Sequence, residues 1–180
     1  MKHYEQLEMM ASDWYGHITA GAAKAAGIAS YELARWVKSG RLEPEGHGVY
    51  RLANYPPSEL EPYVVAVLSV GRDAFLYGES VLAMLKLAPT NPNCIYVASP
   101  RRVRKCFGGG IKVVKAKAGI PVANYEGIPS QPAAQAILST RGLVRVDRRK
   151  AAADEALHLG YATKAEYDGL MEALKNETSA

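Results

Sequence analysis

The sequence predicts an α+β protein, with an N-terminal winged helix-turn-helix over residues 1–53 followed by a mixed α+β domain with a small sheet over residues 58–180. Three observations carry this. Before residue 54, apolar residues recur at helix spacing in short stretches closed by glycines, and two strand-like runs follow. After residue 57, helix-capping patterns alternate with strand runs. Between them stands Asn54-Tyr55-Pro56-Pro57, whose two prolines make a natural linker and domain boundary.

The elements follow in order. Residues 3–14 form a helix striped by Tyr4, Leu7, Met10, Ala11 and Trp14. Thr19 caps a helix at 20–26, and Gly27 stops it, because glycine accepts the left-handed conformation at a helix C-terminus. Ser30 caps a helix at 31–39 that Gly40 ends, with Leu33, Ala34, Trp36 and Val37 directed partly inward. Trp36 is expected to be buried against the first helix. Residues 41–44 and 48–52 are two strands joined by a turn holding Gly46 and Gly48.

In the second region Ser58 and Glu61 make a capping box ahead of an apolar helix. A strand near 74–77 and a helix at 79–86 come next. Residues 94–98 read as a buried strand and 111–117 as its hairpin partner, with Gly108, Gly109 and Gly110 in the connection. Ser130 opens a helix to about Thr140, stopped by Gly142. Residues 147–159 form another helix. Thr163 and Glu166 box the last one, striped by Tyr167, Leu170, Met171 and Leu174.

The composition, 48% hydrophobic and 22% charged over 180 residues, is that of a folded soluble protein. No run of about 18 apolar residues is present, so no membrane span is expected. The N-terminal segment lacks the apolar stretch of a secretory signal, which predicts a cytoplasmic location. Cys94 and Cys106 have no CxxC partner and no His at ligand spacing, so neither a metal, a cofactor nor a disulfide is expected.

Charge is unevenly distributed. Residues 1–53 hold six Lys/Arg and six Asp/Glu, whereas residues 101–150 hold twelve and two. A concentrated basic stretch is the footprint of a polyanion partner.

Two short helices around a glycine turn form the helix-turn-helix pattern, whose second helix enters the major groove of double-stranded DNA N-terminal end first. The outward residues of that helix are expected to be Ser30, Tyr31, Arg35 and Lys38. Arg35, one turn in, can be bidentate to a guanine. Lys38 and Arg41, with Lys24 nearby, suit phosphates, and His47 sits at the tip of the wing. The balanced charge of residues 1–53 keeps a second reading open, a winged-helix adaptor that docks protein without sequence-specific DNA binding.

The run Arg101, Arg102, Arg104, Lys105, Lys112, Lys115 and Lys117 carries seven positive charges and no negative ones. It reads equally as a phosphate-binding hairpin or as a solvated loop and strand face. Its glycines lack the GlyLysSer or GlyLysThr ending of a nucleotide-binding loop. A second cluster, Arg141, Arg145, Arg148, Arg149 and Lys150, is expected to cover a helix face.

No enzyme is predicted. Glu79 and Ser80 read as a helix start, and His3, His17, His47 and His158 are too scattered for a catalytic set.

Several blocks resemble a known family. GHITAGAAKAAGI at 16–28, YELARWVKSGRLE at 31–43 and GVYRL at 48–52 are similar to the N-terminal domain of AbiE-type antitoxins. FLYGESVLAML at 75–85, IYVASPRR at 95–102 and EGIPSQPAAQAIL at 126–138 resemble later blocks of that family, so the likeness spans roughly residues 5–140. The resemblance implies a prokaryotic type IV toxin–antitoxin system of abortive infection. It implies a winged-helix repressor that binds repeats in its own promoter, as monomer or homodimer. It also implies an antitoxin C-terminal domain that opposes a nucleotidyltransferase toxin without a stable complex. The chain lacks the Gly-Ser and Asp-x-Asp pattern of that toxin.

Overall fold

The structure, a computed structural model, describes residues 2–90, 92–117 and 119–178. It is α+β, with eight helices and two sheets among the described residues. The chain divides into two compact units, Met1–Arg72 with Glu126–Ile128, and Asp73–Tyr125 with Pro129–Ala180.

The first unit runs α1 (Lys2–Ser12), β1 (His17–Thr19), α2 (Ala20–Ala25), α3 (Ser30–Lys38), β2 (Leu42–Gly46), β3 (Val49–Leu52) and α4 (Glu61–Val70). Its core joins Leu7 and Ala11 of α1, Ile18 of β1, Ala23 of α2, and Leu33 and Trp36 of α3, with Ile28, Leu42 and Leu52. The sheet is antiparallel in the order β1-β3-β2. β1 was not expected, because three residues are too short to show an alternating pattern. Gly16 leads into it with φ +80, and a Cβ there would collide with the Tyr55 ring.

The unit does not stop at the double proline, where a boundary is expected from sequence. α4 packs on β1 and β3. Arg51 of β3 also ties the intervening segment down, donating to Tyr55 O at 2.8 Å and to Glu61 Oε1 at 3.3 Å. Ser58 and Glu61 do interlock, with Ser58 N–H donating to Glu61 Oε1 at 3.2 Å and Leu60 N–H donating to Ser58 Oγ at 3.2 Å.

The second unit runs β4 (Phe75–Leu76), α5 (Glu79–Met84), β5 (Ile95–Ser99), β6 (Ile111–Lys115), β7 (Ala123–Tyr125), β8 (Ile128–Ser130), α6 (Ala133–Ser139), α7 (Val146–His158) and α8 (Lys164–Thr178). The sheet order is β6-β5-β4-β8-β7. The strand pair β5 and β6 is parallel, with Ile95 opposite Ile111 and Ser99 opposite Lys115. The expected hairpin is therefore a crossover, because a parallel partner requires the chain to travel back the full strand length before pairing. Gly108–Gly110 belong to that return path and are not a tight turn.

Ser130 likewise ends β8 and does not open a helix; α6 begins after Pro132. Ser80, read as a cap, is buried and its Oγ accepts Tyr96 N–H at 2.7 Å, joining α5 to β5. The Thr163–Glu166 box forms as expected, with Thr163 N–H donating to Glu166 Oε2 at 2.8 Å. The α7–α8 pair buries Ala152, Ala153, Ala156, Leu170 and Leu174.

Candidate DNA-binding surface

The α2–α3 pair and the turn between them are set by local chemistry. Thr19 Oγ1 accepts Ala22 N–H at 3.0 Å and caps α2. Gly27, at φ +83, turns the chain, and Ile28 drops into the core. The cap of α3 is Ala29 rather than Ser30, and the Glu32 carboxylate performs the capping by accepting Ala29 N–H at 3.1 Å. An acid in the first turn also suits the positive end of the helix.

With α3 anchored by Leu33 and Trp36, its outward stripe is Ser30, Tyr31, Ala34, Arg35 and Lys38, all exposed. These lie at i, i+1, i+4, i+5 and i+8, one face of a helix. Ala34, expected inward from its helix position, is exposed; Glu32 is buried instead, because its carboxylate is satisfied locally. Tyr31 is 70% exposed at the leading end of this face.

Lys24 is exposed on α2. Arg41 is exposed just beyond α3, its guanidinium 5.1 Å from the Tyr4 ring centroid. His47 stands exposed at the β2–β3 turn with φ +51. The hairpin carries Glu43 and Glu45 and no Lys or Arg between residues 42 and 50. The hairpin's own basic residue, Arg51 on β3, is paired with Glu43 and Glu61.

One feature was invisible to local pattern. A cleft of about 410 Å3 beside α3 is lined by Lys2, His3, Tyr4, Glu32, Arg35, Trp36 and Arg41. It gathers three basic side chains from two ends of the unit around one carboxylate. That carboxylate is already engaged: Glu32 Oε2 lies 3.0 Å from His3 Nδ1, and Arg35 approaches Glu32 Oε1 at 4.0 Å. The hydrogen bond from His3, then that from Ala29 N–H, holds the Glu32 carboxyl below its ordinary value of 4.5. The cleft as a whole is positive.

The basic run falls in the second unit. Arg101 is committed within that unit, its guanidinium 2.7 Å from Asp73 Oδ2. Arg102, Arg104 and Lys105 are exposed along the crossover. Lys112 lies 5.4 Å from the Tyr96 ring centroid. Lys112 and Lys115 are exposed on β6, an edge strand, where lysines also discourage pairing with another chain.

The second basic cluster is not a uniform surface. Arg149 is 1% exposed and donates to Ile137 O at 2.9 Å, to Leu138 O at 3.2 Å and to both oxygens of Glu177 at 2.6 and 3.2 Å. Among the described residues, no group of three or more His, Cys, Asp or Glu is placed to hold a metal ion, and no helix is long and apolar enough to cross a membrane.

A capped pair of short helices around a glycine turn, then an antiparallel hairpin, is consistent with a winged helix-turn-helix of the transcription-regulator class. Residues 5–53 match the model of a family described as transcriptional regulator, AbiEi antitoxin. The resemblance read from the sequence therefore holds from α1 to β3. No curated protein matches the chain.

Proposed function

We propose that this protein is a DNA-binding transcriptional repressor of the AbiEi antitoxin type, reading duplex DNA with α3. The observation that carries this reading is the outward stripe of α3, where Arg35 and Lys38 share one exposed face led by Ser30 and Tyr31. The family description over residues 5–53 supports it independently. Arg35 is the base reader, with Lys38, Lys24 and Arg41 on phosphates and His47 at the wing. Arg102, Arg104 and Lys105 of the second unit add sequence-independent phosphate contacts. Arg101, paired with Asp73, contributes less than the sequence implied.

The repressor acts on repeats in its own promoter, and the second domain opposes a nucleotidyltransferase toxin without forming a stable complex. A mobility shift of the full chain on its own upstream region, against unrelated DNA of equal length, tests the repressor reading. Co-expression with the neighbouring gene product tests the antitoxin reading. One observation favours protein docking through the same face instead: Tyr31 presents a large exposed ring at the end that would meet the groove. Failure of any DNA to shift would leave that reading standing and remove the first.

A further inference from the structure

Tyr31 is the aromatic residue of the outward stripe on α3, and it stands 70% exposed at the leading end of the helix. Helical side chains lean back toward the helix N-terminus, which directs this ring ahead of the first turn. The residues around that turn offer little to bury it. Gly27 has no side chain, and a Cβ built there would meet nothing within 4 Å. Ile28 is turned into the core. On the helix itself Ala34, three residues on and exposed, contributes only a methyl. The ring is left in water, where its large apolar area gains nothing.

The rest of the face says what the ring would meet. Arg35 and Lys38 share it, both exposed, and suit a guanine edge and a phosphate. On the major-groove edges of the four bases, the apolar group is the C5-methyl of thymine, and apolar side chains pack against it. An exposed ring beside two exposed cations therefore matches a groove that offers a methyl beside acceptors.

We infer that Tyr31 reads thymine, its ring packing on the C5-methyl in the major groove beside the guanine that Arg35 takes. This contact presupposes the proposed reading of DNA by α3 and adds a base preference to it. Tyr31 and Arg35 stand four positions apart in the sequence. At about 1.5 Å per residue that is about 6 Å along the helix, against about 3.4 Å between stacked base pairs. The thymine therefore lies within about two base pairs of that guanine.

The probe is a duplex selected from a random pool by the full chain, compared with the same duplex carrying deoxyuridine at every thymine. That replacement removes the methyl and keeps the pairing. Fluorescence anisotropy gives the affinity of the wild-type chain, Tyr31→Phe and Tyr31→Ala for both. The wild-type chain should bind the uracil duplex at least about fourfold more weakly, the ratio that burial of one methyl-sized group implies. Tyr31→Phe keeps the ring and should keep this preference, whereas Tyr31→Ala should bind both duplexes alike. Because Tyr31 is exposed, neither substitution should disturb folding. Equal affinity of the wild-type chain for the two duplexes, or a preference retained in Tyr31→Ala, would overturn the thymine contact and leave DNA binding by α3 in place. A preference lost in Tyr31→Phe would assign the contact to the hydroxyl and overturn it as well. A pool that yields no bound duplex would remove the DNA reading of α3 and the thymine contact together.

Discussion

The Tyr4 ring meets the indole of Trp36 edge-on, their centroids 5.1 Å apart and their planes at 64°. This contact fixes α3 against α1, and with it the direction in which Arg35 and Lys38 point. Trp36 is 4% exposed. Trp36→Ala should cost about 3–5 kcal/mol, as truncation of a buried aromatic does. A fall in urea midpoint confined to the first unit, followed by near-ultraviolet circular dichroism, checks this.

Gly16 offers a second stability prediction. Its φ of +80 and the Tyr55 ring above it leave no room for a side chain. Gly16→Ala should destabilise the first unit by at least about 1 kcal/mol, the scale set by strain at a left-handed position. An unchanged melting temperature would show that Tyr55 moves aside freely.

The second unit depends on a buried charge. Arg149 holds the end of α6 to α8 through two carbonyls and Glu177. Removing one partner of such a pair leaves the other groups unsatisfied, so Arg149→Ala should cost about 3–5 kcal/mol. Arg148→Ala, one residue away and exposed, should be nearly silent. The contrast between the two in thermal denaturation is the measurement.

Glu32 makes stability depend on acid. Its carboxyl titrates below the ordinary value of 4.5, chiefly because His3 hydrogen-bonds to it. A depressed carboxylate stabilises the fold fully above its unfolded value, and the contribution is lost as pH falls through the folded one. Stability of the native chain should therefore drop on acidification through that range, and Glu32→Gln should flatten the drop. Denaturant midpoints at a series of acidic pH values read this directly. Identical slopes for the two proteins would remove Glu32 from the account.

Much of the first unit was legible in the sequence because its signals are local. Thr19, Gly27 and Gly40 act within a few residues, and the Leu33–Trp36 stripe is a helix period. The buried Trp36 followed from that period alone. Ala34 was misplaced because an alanine carries little directional signal, and Glu32 took the inward position through a capping bond that reaches back to Ala29. Lys2 and His3 were missed because their neighbours on α3 are 29 residues away in the case of His3.

In the second unit three of the five strands are legible without their directions, whereas β7 and β8, three residues each, are too short to show an alternating pattern. Runs such as Ile95–Ser99 and Ile111–Lys115 look the same in parallel or antiparallel pairing, and three glycines between them suggested a turn where the chain makes a crossover. Arg149 read as a surface charge because nothing near it in sequence announces Glu177.

The crossover charges carry a prediction about salt. Each phosphate contact contributes roughly −0.9 to the slope of log affinity against log salt. Replacing Arg102, Arg104 and Lys105 by Ala should flatten that slope by about two to three units and leave sequence preference intact. An unchanged slope with lost protection against a co-expressed toxin would assign the run to antitoxin action instead.

Fluorescence anisotropy on the upstream DNA and on unrelated duplex at fixed salt, comparing Arg35→Ala with Lys38→Ala, tests whether α3 reads DNA. Arg35→Ala should lose about 1–3 kcal/mol on the specific duplex only, narrowing the ratio between the two DNAs. Lys38→Ala should weaken both equally. Binding unchanged by either substitution, on a protein that still folds, would take α3 out of the interface and contradict DNA reading by this helix.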